Sequence, residues 1–293
     1  MQSDNVFKGL FYGGFSSCVA EVATMPVDVV KTRLQMDGAS GAAKAYAGSL
    51  DCAGKLVAAE GPTALWKGLP PALVRQSTYG SMRYGLYGPI KDAMGIEAGK
   101  PASLPQKIAA GGAAGGIASA IANPTDLMKV RLQADGGGTG VKKYGGMIDC
   151  FRQILRDEGV LAFWTGVGPT VGRATALAAA ELATYDETKQ QILAHGLMRE
   201  GLPCHVVTAT VSGFVATVVS SPFDVVKSRV MGQPLNADGS GKNFSGMVDC
   251  FVKSARNEGF MSLYNGFWPN FGRVVPRVTI VFIVMEQLKS RFG

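Results

Sequence analysis

Pro26-Val-Asp28-Val-Val-Lys31-Thr-Arg33 decides the fold, because the chain carries this stretch three times. The other copies are Pro124-Thr-Asp126-Leu-Met-Lys129-Val-Arg131 and Pro222-Phe-Asp224-Val-Val-Lys227-Ser-Arg229, with 98 residues from each proline to the next. Proline bends a helix, and residues three apart share one helix face, so each Asp and Lys lie on the same side of a bent helix. A spacing that is kept twice indicates three repeats whose acids and bases can meet in a ring.

Composition narrows the class of protein. The 293 residues are 47% hydrophobic and 17% charged, with a net charge of +7. This balance suits anionic lipid head groups, anionic small molecules or nucleic acid. The sequence has no zinc-finger spacing, RNP-type segment or long basic run, so no nucleic-acid partner is expected. Cys52, Cys150 and Cys250 each follow an aspartate in matching repeat positions, which argues against a metal site or a disulfide framework.

Hydropathy alone is a weak guide to membrane spans here, since no run of about 18 uninterrupted apolar residues occurs. The segments 9–25 and 108–123 are rich in glycine, alanine and serine, and their only charge is Glu21. A helix bundle around a water-filled cavity tolerates such half-polar segments. The start, MQSDNVFKGLF, lacks the features of a cleaved presequence, so none is expected.

Each repeat predicts two long helices separated by a short amphipathic helix. In repeat 1 the long helices are predicted at about 7–35 and 71–94. In repeat 2 one is predicted at about 104–133 and the other ends near 193. In repeat 3 the first begins near 203 and the final one ends at 291. The predicted fold class is an all-α membrane protein with six transmembrane helices. We predict a single domain made of the repeats 1–97, 98–199 and 200–293.

The pattern Pro-x-Asp-x-x-Lys-x-Arg, followed about 25 residues later by Glu-Gly-x4-aromatic-x-Gly, resembles the mitochondrial carrier family. It occurs three times and covers essentially the whole chain. The resemblance implies a monomeric six-helix barrel with three-fold pseudosymmetry in the mitochondrial inner membrane, which alternates between matrix-open and cytosol-open states and needs no cofactor. The stretches ANPTDLMKVRLQADG, AAAELATYDETK and PNFGR look most like plant-type uncoupling proteins, with the oxoglutarate and dicarboxylate carriers as related members.

The first predicted site is a gate on the matrix side, built from the repeated Asp and Lys. The expected ion pairs join neighbouring odd-numbered long helices and are Asp28 with Lys129, Asp126 with Lys227, and Asp224 with Lys31. Because the gate must break in each transport cycle, each pair should contribute on the order of 1 kcal/mol or less. By resemblance, Gln35 and Gln133 each brace a pair, whereas Met231 occupies that place in the third repeat.

The resemblance implies a second, cytosolic gate from an aromatic-acid-x-x-base pattern near the ends of the even-numbered long helices. Repeat 2 supplies Tyr185, Asp186 and Lys189, and repeat 3 supplies Glu286 and Lys289. Repeat 1 keeps Lys91 but has a glycine in place of the acid. Two ion pairs are therefore expected, the alternative being charged helix ends in solvent.

A third site is predicted in the cavity, where Arg75, Arg173 and Arg273 occupy equivalent positions of the even-numbered long helices. A buried arginine stays charged and needs an anion or a partner, so three of them indicate an anion site. Eight residues further along these helices the symmetry breaks, with Arg83, Glu181 and Val281. We expect such positions to set selectivity, unless Arg83 and Glu181 simply pair.

Two further charges accompany this site. Arg277 stands where uncoupling proteins have an aromatic residue, and it either adds a cation to the cavity or points to a neighbouring helix. Glu21 matches an acidic position of uncoupling proteins by resemblance.

Lipid sites are predicted where glycines precede helices, because such N-termini expose N–H groups and a positive dipole end to phosphate. By resemblance these places bind cardiolipin. The glycines are Gly48, Gly146 and Gly246 before the short helices, and Gly68, Gly166 and Gly266 before the even-numbered long helices. Thr165 and Asn265 replace the usual base next to two of them.

A transporter is the predicted class, since the chain lacks the common nucleotide-binding, metalloprotease and hydrolase motifs of enzymes and has only two histidines, His195 and His205. Two functions remain open. One is antiport of small anionic metabolites such as dicarboxylates, oxo acids or acidic amino acids, with or without a proton or phosphate. The other is the regulated proton leak of an uncoupling protein.

Overall fold

A computed structural model describes residues 2–39, 44–93, 104–136, 143–196, 201–233, 235–236 and 241–292. Its α-helices follow the repeat plan, and no strand occurs within these ranges beyond one isolated bridge between Leu235 and Gly241. In chain order they are α1 (Gln2–Met36), α2 (Ser49–Glu60), α3 (Leu69–Ala93), α4 (Leu104–Ala134), α5 (Met147–Asp157), α6 (Val167–Ala194), α7 (Leu202–Gly232), α8 (Met247–Glu258) and α9 (Phe267–Phe292). A 3-10 turn links each short helix to the next long one: Pro62–Trp66, Val160–Trp164 and Phe260–Tyr264.

This architecture confirms the predicted fold class of long helices in three repeats, each with one short helix. Most predicted helix ends agree with the structure to within two residues. The exception is α1, which begins at Gln2 rather than near residue 7.

The six long helices form a closed ring. Contacts run from α1 to α3, α3 to α4, α4 to α6, α6 to α7, α7 to α9 and α9 back to α1. The odd-numbered long helices, α1, α4 and α7, are the first long helix of each repeat, and they also contact one another. Each contains the motif proline, at Pro26, Pro124 or Pro222. Since proline bends a helix, these three close the bundle at one end, which is where the charged motif lies.

The short helices pack against the closed end. In repeat 1, Met25 and Val29 of α1 form a buried cluster with Leu56 of α2 and with Ala64 and Ala72 beyond it. Equivalent clusters occur in the other repeats and include Cys150 and Cys250. Burial raises the pKa of the Cys52 and Cys250 thiols to about 11 and that of Cys150 to about 12. These thiols are therefore packing groups, each of them free.

The loops after α1, α4 and α7 are held by the same kind of hydrogen bond in each repeat. The side-chain oxygens of Asp37 accept the backbone N–H groups of Ala45 and Tyr46 at 2.8 and 3.1 Å. Asp135 accepts those of residues 143 and 144, and Gln233 those of residues 243 and 244. One polar side chain per repeat thus returns the chain to the start of the short helix.

The surface of the described part exposes many large apolar side chains. Leu50 is 89% exposed, Trp268 74% and Phe282 61%. Among the described residues, no helix has both the length and the apolar character needed to cross a membrane.

Candidate functional site

The repeated acids and bases meet at the closed end of the bundle. Lys31 Nζ lies 2.9 Å from Asp224 Oδ2, Lys129 Nζ lies 3.0 Å from Asp28 Oδ2, and Lys227 Nζ lies 2.8 Å from Asp126 Oδ2. These are the pairs that the repeat spacing predicts, and each joins two of the helices α1, α4 and α7. The aspartate side chains are buried. Together the pairs form a ring, which we call the Asp–Lys ring.

The three repeated arginines reach down to the same ring. Arg173 Nε lies 2.5 Å from Asp224 Oδ1, while Arg75 pairs with Asp126 and Arg273 pairs with Asp28. The sequence analysis treated the arginines as a third site apart from the gate, and in the structure they contact the gate's own aspartates. A buried carboxylate has two oxygens to satisfy, and the long arginine side chain supplies the second partner. The predicted anion site and the predicted gate form one charged cluster.

The cluster has an excess of positive charge. At each interface one aspartate faces one lysine and one arginine, which leaves one net positive charge per interface. The arginine side chains remain between a fifth and a third exposed, so they can meet a ligand from the cavity side. The cavity at the ring has a volume of about 140 Å³. An anion entering here would meet three unbalanced positive charges.

The predicted glutamine braces bind elsewhere. Gln35 Oε1 accepts a hydrogen bond from Ser228 at 2.6 Å, and Gln133 Oε1 accepts one from Thr32 at 2.8 Å. In the described structure these amides link neighbouring odd-numbered long helices through a hydroxyl group, and they do not bond to a lysine or an aspartate of the ring. Ser228 and Thr32 directly follow the ring lysines Lys227 and Lys31 in the sequence.

Asn270 of α9 belongs to the ring, although sequence reasoning missed it. Its Oδ1 accepts a hydrogen bond from Lys31 Nζ at 2.9 Å, and its Nδ2 donates to Asp224 Oδ2 at 3.1 Å. The equivalent residues are Ala72 and Thr170, so a comparison of the three repeats at this position would have revealed it.

Arg277 points to a neighbouring helix rather than adding a free cation to the cavity. Its Nη1 lies 2.7 Å from Glu21 Oε2 on α1. Glu21 also pairs with Lys129 at 2.6 Å and accepts a hydrogen bond from Gln76 at 3.0 Å. The charge of Arg277 is thus balanced by Glu21, and the excess positive charge of the cluster comes from the three repeated arginines.

A second set of arginines lies below the ring. Arg33, Arg131 and Arg229 pair with the Glu of each Glu-Gly motif, Glu60, Glu158 and Glu258, at 2.6–2.8 Å. Each also donates to a backbone carbonyl at the end of the first long helix of the next repeat, as Arg33 Nε does to Gln133 O at 2.8 Å. These contacts hold each short helix to its own repeat and to the next one.

The opposite end of the bundle carries the residues predicted for the cytosolic gate. The side chains of Asp186 and Glu286 are exposed, and those of Tyr185 and Lys189 are half-buried. The side chains of Lys91 and Lys289 lie outside the described part of the structure, as do those of Arg83 and Glu181. The pairing of the second gate and the selectivity role of Arg83 and Glu181 therefore stay predictions.

The predicted lipid-site glycines face each other across repeats. Gly48, before α2, and Gly266, before α9, line one cleft of about 620 Å³ with Lys44 and Lys55 at its rim. Gly246 and Gly166 line an equivalent cleft of about 310 Å³. Gly68 and Gly146 hold the corresponding sequence positions at the third interface. Each cleft thus brings two helix N-termini together.

The two classes of glycine differ in what their backbones require. Gly68 has a φ of 78°, and a Cβ there would lie 3.0 Å from the carbonyl oxygen of Lys129. Gly48 has an extended φ of 173° with nothing within 4 Å. Only the first needs glycine for the fold.

We expect Gly68→Ala to lower the free energy of unfolding by about 1–2 kcal/mol, because an alanine is strained in the left-handed region. Gly48→Ala is the matched control and should leave the unfolding temperature unchanged. Thermal unfolding of the purified protein measures both, and equal losses for the two variants would contradict this assignment.

The fold and the cluster define a class: a transporter built from three repeats around a cavity that ends in a charged ring. The model of the family described as "Mitochondrial carrier protein" matches residues 2–97, 100–196 and 199–293. The chain belongs to the mitochondrial carrier family. It is a multi-pass protein of the mitochondrial inner membrane.

Several known proteins are similar to this chain over nearly the whole length of both proteins. The "Mitochondrial substrate carrier family protein ucpB" of Dictyostelium discoideum is 38% identical over 96% of this chain and 95% of its own. "Mitochondrial uncoupling protein 1" of Arabidopsis thaliana is 41% identical over 94% and 90%. The "Putative mitochondrial transporter UCP3" of Homo sapiens is 38% identical over 94% and 89%.

Proposed function

We propose that this carrier exchanges small anionic metabolites, such as dicarboxylates, oxo acids or acidic amino acids, across the inner membrane by alternating access, without enzymatic activity. The observation that supports this is the charge of the cavity floor. Each interface of the ring holds a lysine and an arginine against a single aspartate. A cluster of this kind attracts anions, and arginine forks match carboxylates.

The geometry suggests how substrate binding and gating are coupled. Each aspartate is held from two sides, by a lysine of an odd-numbered long helix and by an arginine of an even-numbered long helix. A substrate carboxylate that binds the arginine competes with the aspartate for it. The aspartate then loses one of two partners, which weakens the ring that closes the matrix end. Substrate thereby shifts the population toward the matrix-open state, because it binds that arrangement better.

The lipid part of the proposal concerns the clefts between repeats. Gly48 and Gly266 place two helix N-termini at one cleft, beside the amines of Lys44 and Lys55. N–H groups and ammonium groups together suit the two phosphates of cardiolipin. The cleft at Gly166 has Thr165 and Gln233 in its wall, so we propose weaker binding there. The carrier acts as a monomer, with lipid at the joints between its repeats.

Uptake into liposomes tests the proposed function. Purified protein in liposomes preloaded with one dicarboxylate should take up a labelled second one, with four-carbon and five-carbon dicarboxylates ahead of monovalent cations and neutral sugars. Liposomes without protein are the control. A protein that exchanges none of the anions would contradict the proposal.

A proton leak is the second candidate function, because similar proteins carry the name uncoupling protein. Glu181 is the residue that could carry a proton with the anion when it is protonated.

We expect Glu181→Gln to keep dicarboxylate exchange but to weaken its dependence on a pH gradient. Uptake measured with and without a pH step gives the result. Glu187→Gln is the control, since Glu187 is exposed on the same helix and bonds to Gln191. An unchanged pH response in Glu181→Gln would remove the proton coupling.

A further inference from the structure

The three lysines of the Asp–Lys ring have different surroundings. Lys129 contacts a second acid, Glu21, at 2.6 Å. Lys31 contacts an amide, Asn270, at 2.9 Å. Lys227 contacts Asp126 only, as far as the described residues show. The ring has three-fold symmetry in its ion pairs and lacks it in the groups around them.

The amide of Asn270 suits an ion pair. Its oxygen accepts from the ammonium group of Lys31, and its NH₂ donates to the carboxylate of Asp224. The opposite amide orientation would turn the NH₂ toward an ammonium group and the oxygen toward a carboxylate, so the contacts determine the orientation. Asn270, Lys31 and Asp224 thus form a triangle with three polar contacts.

The other two repeats have no such amide. The equivalent of Asn270 is Ala72 in repeat 1 and Thr170 in repeat 2. The Thr170 hydroxyl donates to the carbonyl of Gly166 in the adjoining turn at 2.8 Å, so it is used locally. Both small residues fit this helix position, so asparagine is not required there for packing.

We propose that Asn270 is a positioning residue that braces the Lys31–Asp224 pair in the matrix-closed state, a role that Gln35 does not fill because its amide oxygen is bonded to Ser228. The inference rests on the proposed gate. It adds an asymmetric element on α9, the second long helix of repeat 3, which ties that helix to both α1 and α7 when the matrix end is closed.

The size of the effect follows from the contacts. Two hydrogen bonds to charged groups are stronger than two neutral ones, and both are lost when the side chain is truncated. We expect Asn270→Ala to lower the unfolding temperature of the closed carrier by about 2–4 °C. In an equilibrium between the closed and open states, the same loss corresponds to a shift of about tenfold toward the open state.

Thermal unfolding of the full-length protein in detergent, in three backgrounds, tests the brace. In the wild-type background Asn270→Ala should give the full shift. In the Lys31→Met/Asp224→Leu background it should give almost none, because the pair that it braces is gone. In the Lys227→Met/Asp126→Leu background, a matched change at another interface, the full shift should return. Equal shifts in all three backgrounds would overturn the inference.

A threonine variant keeps the test informative if the apolar backgrounds fail to fold. Asn270→Thr introduces the residue that repeat 2 carries, so a residue that only fills space would be replaced without loss. The brace requires an amide, and Asn270→Thr should therefore behave like Asn270→Ala. A wild-type unfolding temperature for Asn270→Thr would overturn the inference. The readout is independent of transport, so a carrier with no anion exchange would refute the proposed function and leave this result standing.

Discussion

Asp126→Lys is expected to abolish exchange, with labelled dicarboxylate uptake falling to the level of protein-free liposomes. In the structure Asp126 is the carboxylate that holds both Lys227 and Arg75. The substitution places a third cation between them, in a region where charges are poorly solvated, and each unpaired buried charge costs several kcal/mol. The ring then cannot close, and the carrier loses one of its two end states.

The paired swap Asp126→Lys with Lys227→Asp should restore part of the exchange, since the ion pair re-forms in reverse. Recovery should be partial because Arg75 was placed to meet a carboxylate on α4, and the swap moves that carboxylate to α7. Asp157→Lys is the matched control: Asp157 pairs with Arg156 on the exposed face of α5. Normal exchange by the single variant Asp126→Lys would show that the ring is no gate.

The long helices and the ring pairs follow from sequence because both depend on periodicity. Pro26, Pro124 and Pro222 mark the bends, and a lysine three residues after each aspartate must face the same side. Which partner each aspartate finds on its second oxygen depends on how far Arg75 or Arg273 reaches between helices. The spacing of residues along one helix gives no information about that distance between helices.

Residues that differ between repeats were the hardest to predict. Asn270 and Glu21 have no acid or amide at the equivalent positions of the other repeats, so the repeated motif does not include them, and Asn270 stands out only when the three repeats are compared position by position. Their partners lie on other helices, at distances set by the tertiary packing. Gln35 and Gln133 show the reverse case, since family resemblance assigned them to the ion pairs, whereas their amide oxygens accept hydrogen bonds from the hydroxyls of Ser228 and Thr32.

Arg173→Ala is expected to remove exchange altogether, and the structure gives it two ways to do so. Arg173 is the second partner of Asp224, and its side chain is about a third exposed toward the cavity. A charge-assisted contact contributes roughly 1.5–3 kcal/mol when desolvated, so its loss lowers apparent substrate affinity about tenfold to a hundredfold. The loss also leaves Asp224 with Lys31 and Asn270 as partners, which reduces the positive charge of that interface from one to zero.

Arg173→Lys separates the charge of this residue from its fork. Lysine keeps the positive charge but offers no planar pair of donors, so partial exchange with a raised apparent KM is expected. Stabilisation of the protein by added dicarboxylate in thermal unfolding should disappear in Arg173→Ala and persist, at higher ligand concentration, in Arg173→Lys. Arg156→Ala is the control, because Arg156 is an exposed arginine of α5 away from the cavity. Exchange at the wild-type rate by Arg173→Ala would remove the arginines from the substrate site and leave them as partners of the ring alone.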